Sequence, residues 1–196
     1  NLTFVENNNQ IPFKIFEASW IYDFTKIESN TTFNLCLQNT IIIALSGSFC
    51  ALVHSENKHD EIYNLNKSYN ALHLVNKNKV TLKGFSTNSL ALLISSSSIV
   101  KENESIGKYR LHNFKPILET KKLNFSSSEV KDCKVTNLGF HQIKYEKFTA
   151  INNKINIPYE IKRVYYLYNV PFDAHRGGHA HLKLRQVIIA AMGSFD

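Results

Sequence analysis

No stretch of this 196-residue chain reaches the roughly 18 apolar residues that a membrane-crossing helix requires. The longest candidate, Thr40 to Val53, is broken by Ser46-Gly47-Ser48. An initiator Met and a signal-peptide pattern are both missing at Asn1, so the chain reads as soluble and as starting inside something longer. Cysteine is scarce. Cys36, Cys50 and Cys133 form neither an even set nor a CxxC pair, which excludes a disulfide scaffold and points to free thiols in a reducing, cytoplasmic setting. Helical periodicity is weak, with one turn or short helix expected near Ser105 to Phe114. Acidic residues are outnumbered 16 to 23, and the resulting net charge of +7 favours an anionic partner such as a nucleotide, a sugar phosphate or nucleic acid. No five basic residues stand together, however, so a solvated basic surface is the simpler account of the excess.

What the chain does have is β-rich segments between clusters of Asn, Ser, Lys and Gly: Phe13 to Phe24, Thr40 to Val53, Glu61 to Leu65, Ala71 to Val75, Lys79 to Leu82 and Leu90 to Ser95. Short strands at this spacing predict an all-β sandwich or barrel rather than a parallel α/β sheet. A hydrophobic content of 43% is enough for a sizeable core.

An internal repeat organises these segments. Placing Gly47-Ser48-Phe49 on Gly193-Ser194-Phe195, an offset of 146, aligns the two halves without a gap back to Ile11. Ile11-Pro12-Phe13 falls on Ile157-Pro158-Tyr159, Trp20-Ile21-Tyr22 on Tyr166-Leu167-Tyr168, and Ile41-Ile42-Ile43-Ala44 on Val187-Ile188-Ile189-Ala190. The predicted organisation is a first copy over 1–120, a linker over 121–129 that includes Ser126-Ser127-Ser128, and a second copy over 130–196.

The alignment also separates scaffold from site. Ala18, Trp20 and Tyr22 correspond to Val164, Tyr166 and Tyr168, so this alternate set stays apolar or aromatic, as a packed face should. The polar positions change together: Arg163 stands where the first copy has Glu17, Tyr165 where it has Ser19, Arg176 where it has Asn30, His179 where it has Phe33, and His181 where it has Leu35. Drift on an exposed face is the alternative. Exchanging two histidines for Phe and Leu fits the filling of an interior cavity better. On an extended segment, His179 and His181 point to the same side, which sets two titratable rings together with an arginine nearby.

These residues carry a family resemblance. Arg163-Val164-Tyr165-Tyr166-Leu167-Tyr168, then Arg176-Gly177-Gly178-His179-Ala180-His181, Gln186-Val187-Ile188-Ile189-Ala190 and Gly193-Ser194-Phe195 resemble the cupin-type dTDP-sugar 3,4-ketoisomerases, the WxcM-like family. Leu2-Thr3-Phe4-Val5-Glu6-Asn7 is similar to the family's first strand, and Ser68-Tyr69-Asn70-Ala71-Leu72-His73-Leu74 to a later one. One departure is Ile143-Lys144-Tyr145-Glu146, where the family has an Asp-x-Arg-Gly turn.

The resemblance implies a cupin jelly roll (an RmlC-like double-stranded β-helix) in two tandem copies, the second truncated. It also implies an isomerase that moves a carbonyl between C3 and C4 of a dTDP-4-keto-6-deoxyhexose through an enediol. His181 would be the base, with His179 or Tyr165 assisting, and Arg163 and Arg176 would hold the diphosphate or the developing enolate charge. The partner implied is a dTDP-linked keto-deoxysugar, with no cofactor, nucleic acid or membrane. The chain would form a homodimer or an intrachain pseudo-dimer.

Two other readings remain. A metal-dependent cupin would also carry HxH, but Arg185 and Gln186 stand where its Glu ligand would be. A non-catalytic cupin binding a nucleotide sugar or a protein is favoured if the second copy truly stops at Asp196, because a half jelly roll leaves strand edges and an apolar face uncovered.

Overall fold

The computed structural model describes residues 2–24, 31–55, 59–103, 111–112, 138–143, 146–175, 177–178 and 181–195. The expected linker over 121–129 lies outside them, as do His179, Arg176 and Cys133.

Eight strands form the body: β2 (Glu17–Tyr22), β3 (Thr32–Leu37), β4 (Thr40–Ser46), β5 (Phe49–His54), β6 (Glu61–Leu65), β7 (Ala71–Leu74), β8 (Asn78–Lys83) and β9 (Leu90–Ser95). They lie in two facing antiparallel sheets ordered β2-β9-β4-β7 and β3-β8-β5-β6, which is the jelly-roll arrangement. The apolar runs of β4 and β9 suit central strands covered on both faces, and every residue of β9 is buried. β3 instead alternates, with Phe33, Leu35 and Leu37 inward and Thr32 and Asn34 outward, and this mixed pattern hides it in the sequence. Thr40 to Val53 is two strands rather than one, turned at Gly47. That residue has a φ of +66°, and a Cβ there would lie 2.6 Å from Ser89 Oγ.

The remaining strands are β1 (Leu2–Glu6), β10 (Leu111–His112), β11 (Phe140–Ile143), β12 (Glu146–Asn152) and β13 (Arg163–Leu167). The one helix among the described residues is α1 (Ile99–Glu102), just after β9; of the stretch expected to be helical, 111–112 is strand. Val187 to Ala191, the counterpart of β4, forms no strand. In the body, β4 is held by β9 on one side and β7 on the other, and neither pairing exists for Val187 to Ala191 among the described residues.

The strands that follow residue 138 interleave with the body. β12 pairs with β2, extending the first sheet through β11 and β10, while β1 pairs with β13 in a separate two-stranded ribbon. The two pairings are reciprocal. Lys147↔Tyr22 through Asn152↔Glu17 has the same register as Leu2↔Leu167 through Glu6↔Arg163, once positions 146 apart are exchanged.

Hydrogen bonds beyond the strands follow the same offset. Asn7 Oδ1 accepts from Ile15 N at 2.9 Å while its Nδ2 donates to Ile161 O at 3.1 Å. Asn153 Oδ1 accepts from Ile161 N at 2.7 Å while its Nδ2 donates to Ile15 O at 2.7 Å. The backbone amides of Asn7 and Asn153 likewise reach Lys162 O and Phe16 O. Even the left-handed residues match: Asn8 with Lys154, and Asp23 with Asn169.

Two cores result. One fills the jelly roll between its sheets, with Ile21, Leu93, Phe49, Leu82 and Phe148 among its members. The other lies on the outer face of the first sheet, where Trp20, Ile43 and Leu92 meet Val5, Ile151 and Ile161. The second core therefore joins β1 and β13 to the body.

Candidate functional site

β13 presents Arg163, Tyr165 and Leu167 on one side and Val164 and Tyr166 on the other, as strand alternation requires. Val164 and Tyr166 pack on the second core, and Tyr166 donates its hydroxyl to Ser68 O at 2.6 Å. Burial raises the Tyr166 phenol above its ordinary pKa. Arg163 and Tyr165, both expected in the site, thus share one open face.

Arg163 does not stand alone there. Its Nη2 donates to Glu6 Oε1 at 2.7 Å, and its guanidinium carbon lies 5.2 Å from the centre of the Phe4 ring. The hydrogen bond from Arg163 is the main reason the Glu6 carboxyl is held below its usual range. Tyr165 donates its hydroxyl to Gln186 Oε1 at 3.1 Å, which brings the stretch after His181 back against β13.

His181 lies exposed on a stretch that forms no strand among the described residues. The described part of the expected five-membered site is therefore an open arrangement rather than a closed pocket: two members on β13, one on the irregular stretch that follows. The first half shows where these positions sit in a completed barrel. Phe33 and Leu35, the counterparts of His179 and His181, point inside and are each 4% exposed. Phe24 stacks on Phe85 at 4.2 Å, Phe85 stacks on Phe49 at 5.0 Å, and Phe33 meets Phe85 edge-on at 5.5 Å. The barrel interior beside Phe33 is packed with aromatic rings.

Two groups lay beyond the reach of residue typing alone. Glu6 carries its signal only when β1 is set opposite β13. Glu17, the counterpart of Arg163, is fully buried, and burial pushes its carboxyl up to about 7. Its Oε2 accepts from Asn152 Nδ2 at 2.6 Å and from Ile99 N at 3.2 Å.

His54 is paired: Nδ1 lies 2.9 Å from Asp60 Oδ2 and Nε2 lies 2.8 Å from Thr81 Oγ1. It lines a cleft of about 350 Å³ on the outer face of the second sheet, with Cys36, Lys79 and Asn103, away from β13. His73 packs against Phe13 with its Nε2 buried and lacking a hydrogen-bond partner.

The fold is thus an antiparallel double-sheet jelly roll with a second set of strands exchanged against it, and its open ribbon carries an arginine and a tyrosine. The FdtA family (WxcM-like, C-terminal) matches residues 1–116 and 131–196, and the chain belongs to that family. Over 45 residues it is 49% identical to a TDP-4-oxo-6-deoxy-alpha-D-glucose-3,4-oxoisomerase of Aneurinibacillus thermoaerophilus. That alignment spans 23% of this chain and 32% of the relative, about a third of the relative's length. Among solved structures, the WlaRB TDP-quinovose 3,4-ketoisomerase of Campylobacter jejuni is similar at a TM-score of 0.43 and 22% identity, covering 50% of this chain and 86% of that one. A 3,4-ketoisomerase of Helicobacter canadensis gives 0.43 and 17%, covering 50% and 84%. No helix among the described residues is long and apolar enough to cross a membrane.

Proposed function

We propose that the chain is a sugar-nucleotide isomerase, converting a dTDP-4-keto-6-deoxyhexose to its 3-keto isomer. The family match across both parts of the chain carries this reading. The chemistry needs a base to take the acidic C3 proton, a stabilised enediolate, and a proton delivered to C4 as the carbonyl moves to C3. An imidazole with a pKa near neutrality can take and give that proton. His181 is assigned as base, with His179 or Tyr165 assisting, and Arg163 and Arg176 hold the diphosphate or the enolate oxygen. The first half supports this division of labour, since its counterparts of the two histidines are Phe33 and Leu35 within a filled barrel.

The same reading makes the chain a tandem of two copies that pair as an intrachain pseudo-dimer, with the second copy active and the first structural. The reciprocal bonds of Asn7 and Asn153 support it. A nucleotide-sugar substrate and the free thiols of Cys36 and Cys50 fit a reducing cytoplasm. Exposure of Tyr165 and of His181 favours one second reading, a cupin that binds the nucleotide sugar without turning it over.

Incubating the full chain with dTDP-4-keto-6-deoxyglucose in deuterated water, followed by NMR, separates the two. Isomerisation places deuterium at the protonated carbon, and His181→Ala lowers the rate by about 10² to 10⁴. If wild type and His181→Ala both leave the sugar unlabelled, the isomerase reading fails.

A further inference from the structure

The open ribbon is built from both ends of the chain. Glu6 and Arg163 face each other directly across it, as do Phe4 and Tyr165. One register step further, the Asn7 and Asn153 side chains each tie Ile15 to Ile161, so the pairing cannot slip without losing four hydrogen bonds. Arg163 is thereby fixed on two sides. The Glu6 carboxylate takes one N–H, the guanidinium carbon sits 5.2 Å over the centre of the Phe4 ring, and Asn9 Nδ2 donates to the second Glu6 oxygen at 3.4 Å. Nη2 is the guanidinium nitrogen that Glu6 holds; Nη1 and Nε lie on the rest of the fork.

We infer that β1 completes the site of the second half, with Glu6 as a positioning residue that aims the Arg163 guanidinium at the substrate's diphosphate. The inference rests on the isomerase reading above and adds to it a residue from the far end of the chain. A carboxylate beside an anion site has two opposite consequences, and they can be told apart. As a positioning group it lowers KM, because a fixed fork meets the diphosphate in one geometry. As a mere anionic neighbour it raises KM by repelling the diphosphate.

The test is steady-state kinetics of the full chain with dTDP-4-keto-6-deoxyglucose for wild type, Glu6→Gln, Glu6→Asp, Arg163→Lys and the double variant Glu6→Gln/Arg163→Lys. Titration with dTDP alone gives the affinity. Glu6→Gln is expected to raise KM and the dTDP dissociation constant about tenfold with kcat changed less, and Glu6→Asp to restore part of the loss. The double variant should be no worse than Arg163→Lys, because Glu6 acts through the fork that lysine lacks. Thermal unfolding of each variant shows whether the fold is kept. An unchanged or lowered KM in Glu6→Gln, with wild type active, overturns the positioning role alone. A wild type that neither binds dTDP nor isomerises the sugar overturns the functional reading, and this inference with it.

Discussion

The two ribbons β2·β12 and β1·β13 share one register yet live in different surroundings. In the first, the face formed by Glu17, Ser19, Ile21, Phe148 and Asn152 is covered by the second sheet of the jelly roll. In the second, the corresponding face formed by Leu2, Phe4, Glu6, Arg163 and Tyr165 is open. Covering decides which chemistry each tolerates. The buried ribbon holds an acid against a neutral amide, Glu17 with Asn152, and its carboxyl is displaced toward the protonated form. The open ribbon holds a full ion pair at the same two positions, because water shares the charge. A carboxyl can sit at either place, but only the open one stays ionised in mild acid and faces a guanidinium.

The largest effect that would sharpen this contrast is expected at Phe148, which is fully buried, and at its counterpart Leu2, which is 61% exposed. Phe148→Ala should cost about 3 to 5 kcal/mol in urea unfolding, and Leu2→Ala within about 0.5 kcal/mol. Comparable losses would mean that the second ribbon is covered in solution.

Next comes Glu17→Gln. A carboxyl raised to about 7 binds its proton more tightly in the folded chain than in the unfolded one. Stability therefore falls as pH rises from the ordinary carboxylate range to about 7, and the cost is complete above it. Glu17→Gln should gain about 3 kcal/mol at pH 8 and nothing at pH 4. An equal gain at both values would show that ionisation is not its source.

Smallest is the pair Asn7→Ala and Asn153→Ala. Each removes bonds to one backbone amide and one carbonyl, so each should cost about 1 to 3 kcal/mol, with the two agreeing within about 0.5 kcal/mol. A marked inequality in the measured unfolding free energies would break the equivalence of the ribbons.

Much of the architecture was legible: the apolar run Leu90–Ser95 matches the buried β9 to the residue, and Glu61–Leu65, a short segment between polar clusters, matches the exposed β6. β3 was not, since Thr32, Asn34 and Cys36 dilute its inward set. Val187 to Ala191 was misleading for the opposite reason. Its sequence matches β4, but strands form in pairs, and among the described residues Val187, Ile188 and Ile189 have no ladder partner and stay exposed. Gly193 shows the same thing, keeping a φ of +75° like Gly47 at +66° while nothing lies within 4 Å of where its Cβ would be.

For the site, residue identity selected Arg163 and Tyr165, which the strand then places on one face. It could not select Glu6, whose relation to Arg163 is a matter of register between residues 157 positions apart. Nor does the sequence show that burial would set Glu17 near neutrality.

The clasp made by Asn7 and Asn153 has a consequence for what this chain is free to become. Two identical subunits exchanging strands would carry the same residue at both twins of every position, so an acid facing an amide on one side would be repeated on the other. Here the twins are separate codons: Glu17 and Arg163 occupy matching places, as do Asn152 and Glu6. Because both strands of each pairing belong to one chain, their local concentration is independent of how much protein is present. Symmetry of the backbone is retained by the clasp while symmetry of the side chains is given up, which leaves one ribbon buried and the other open to solvent.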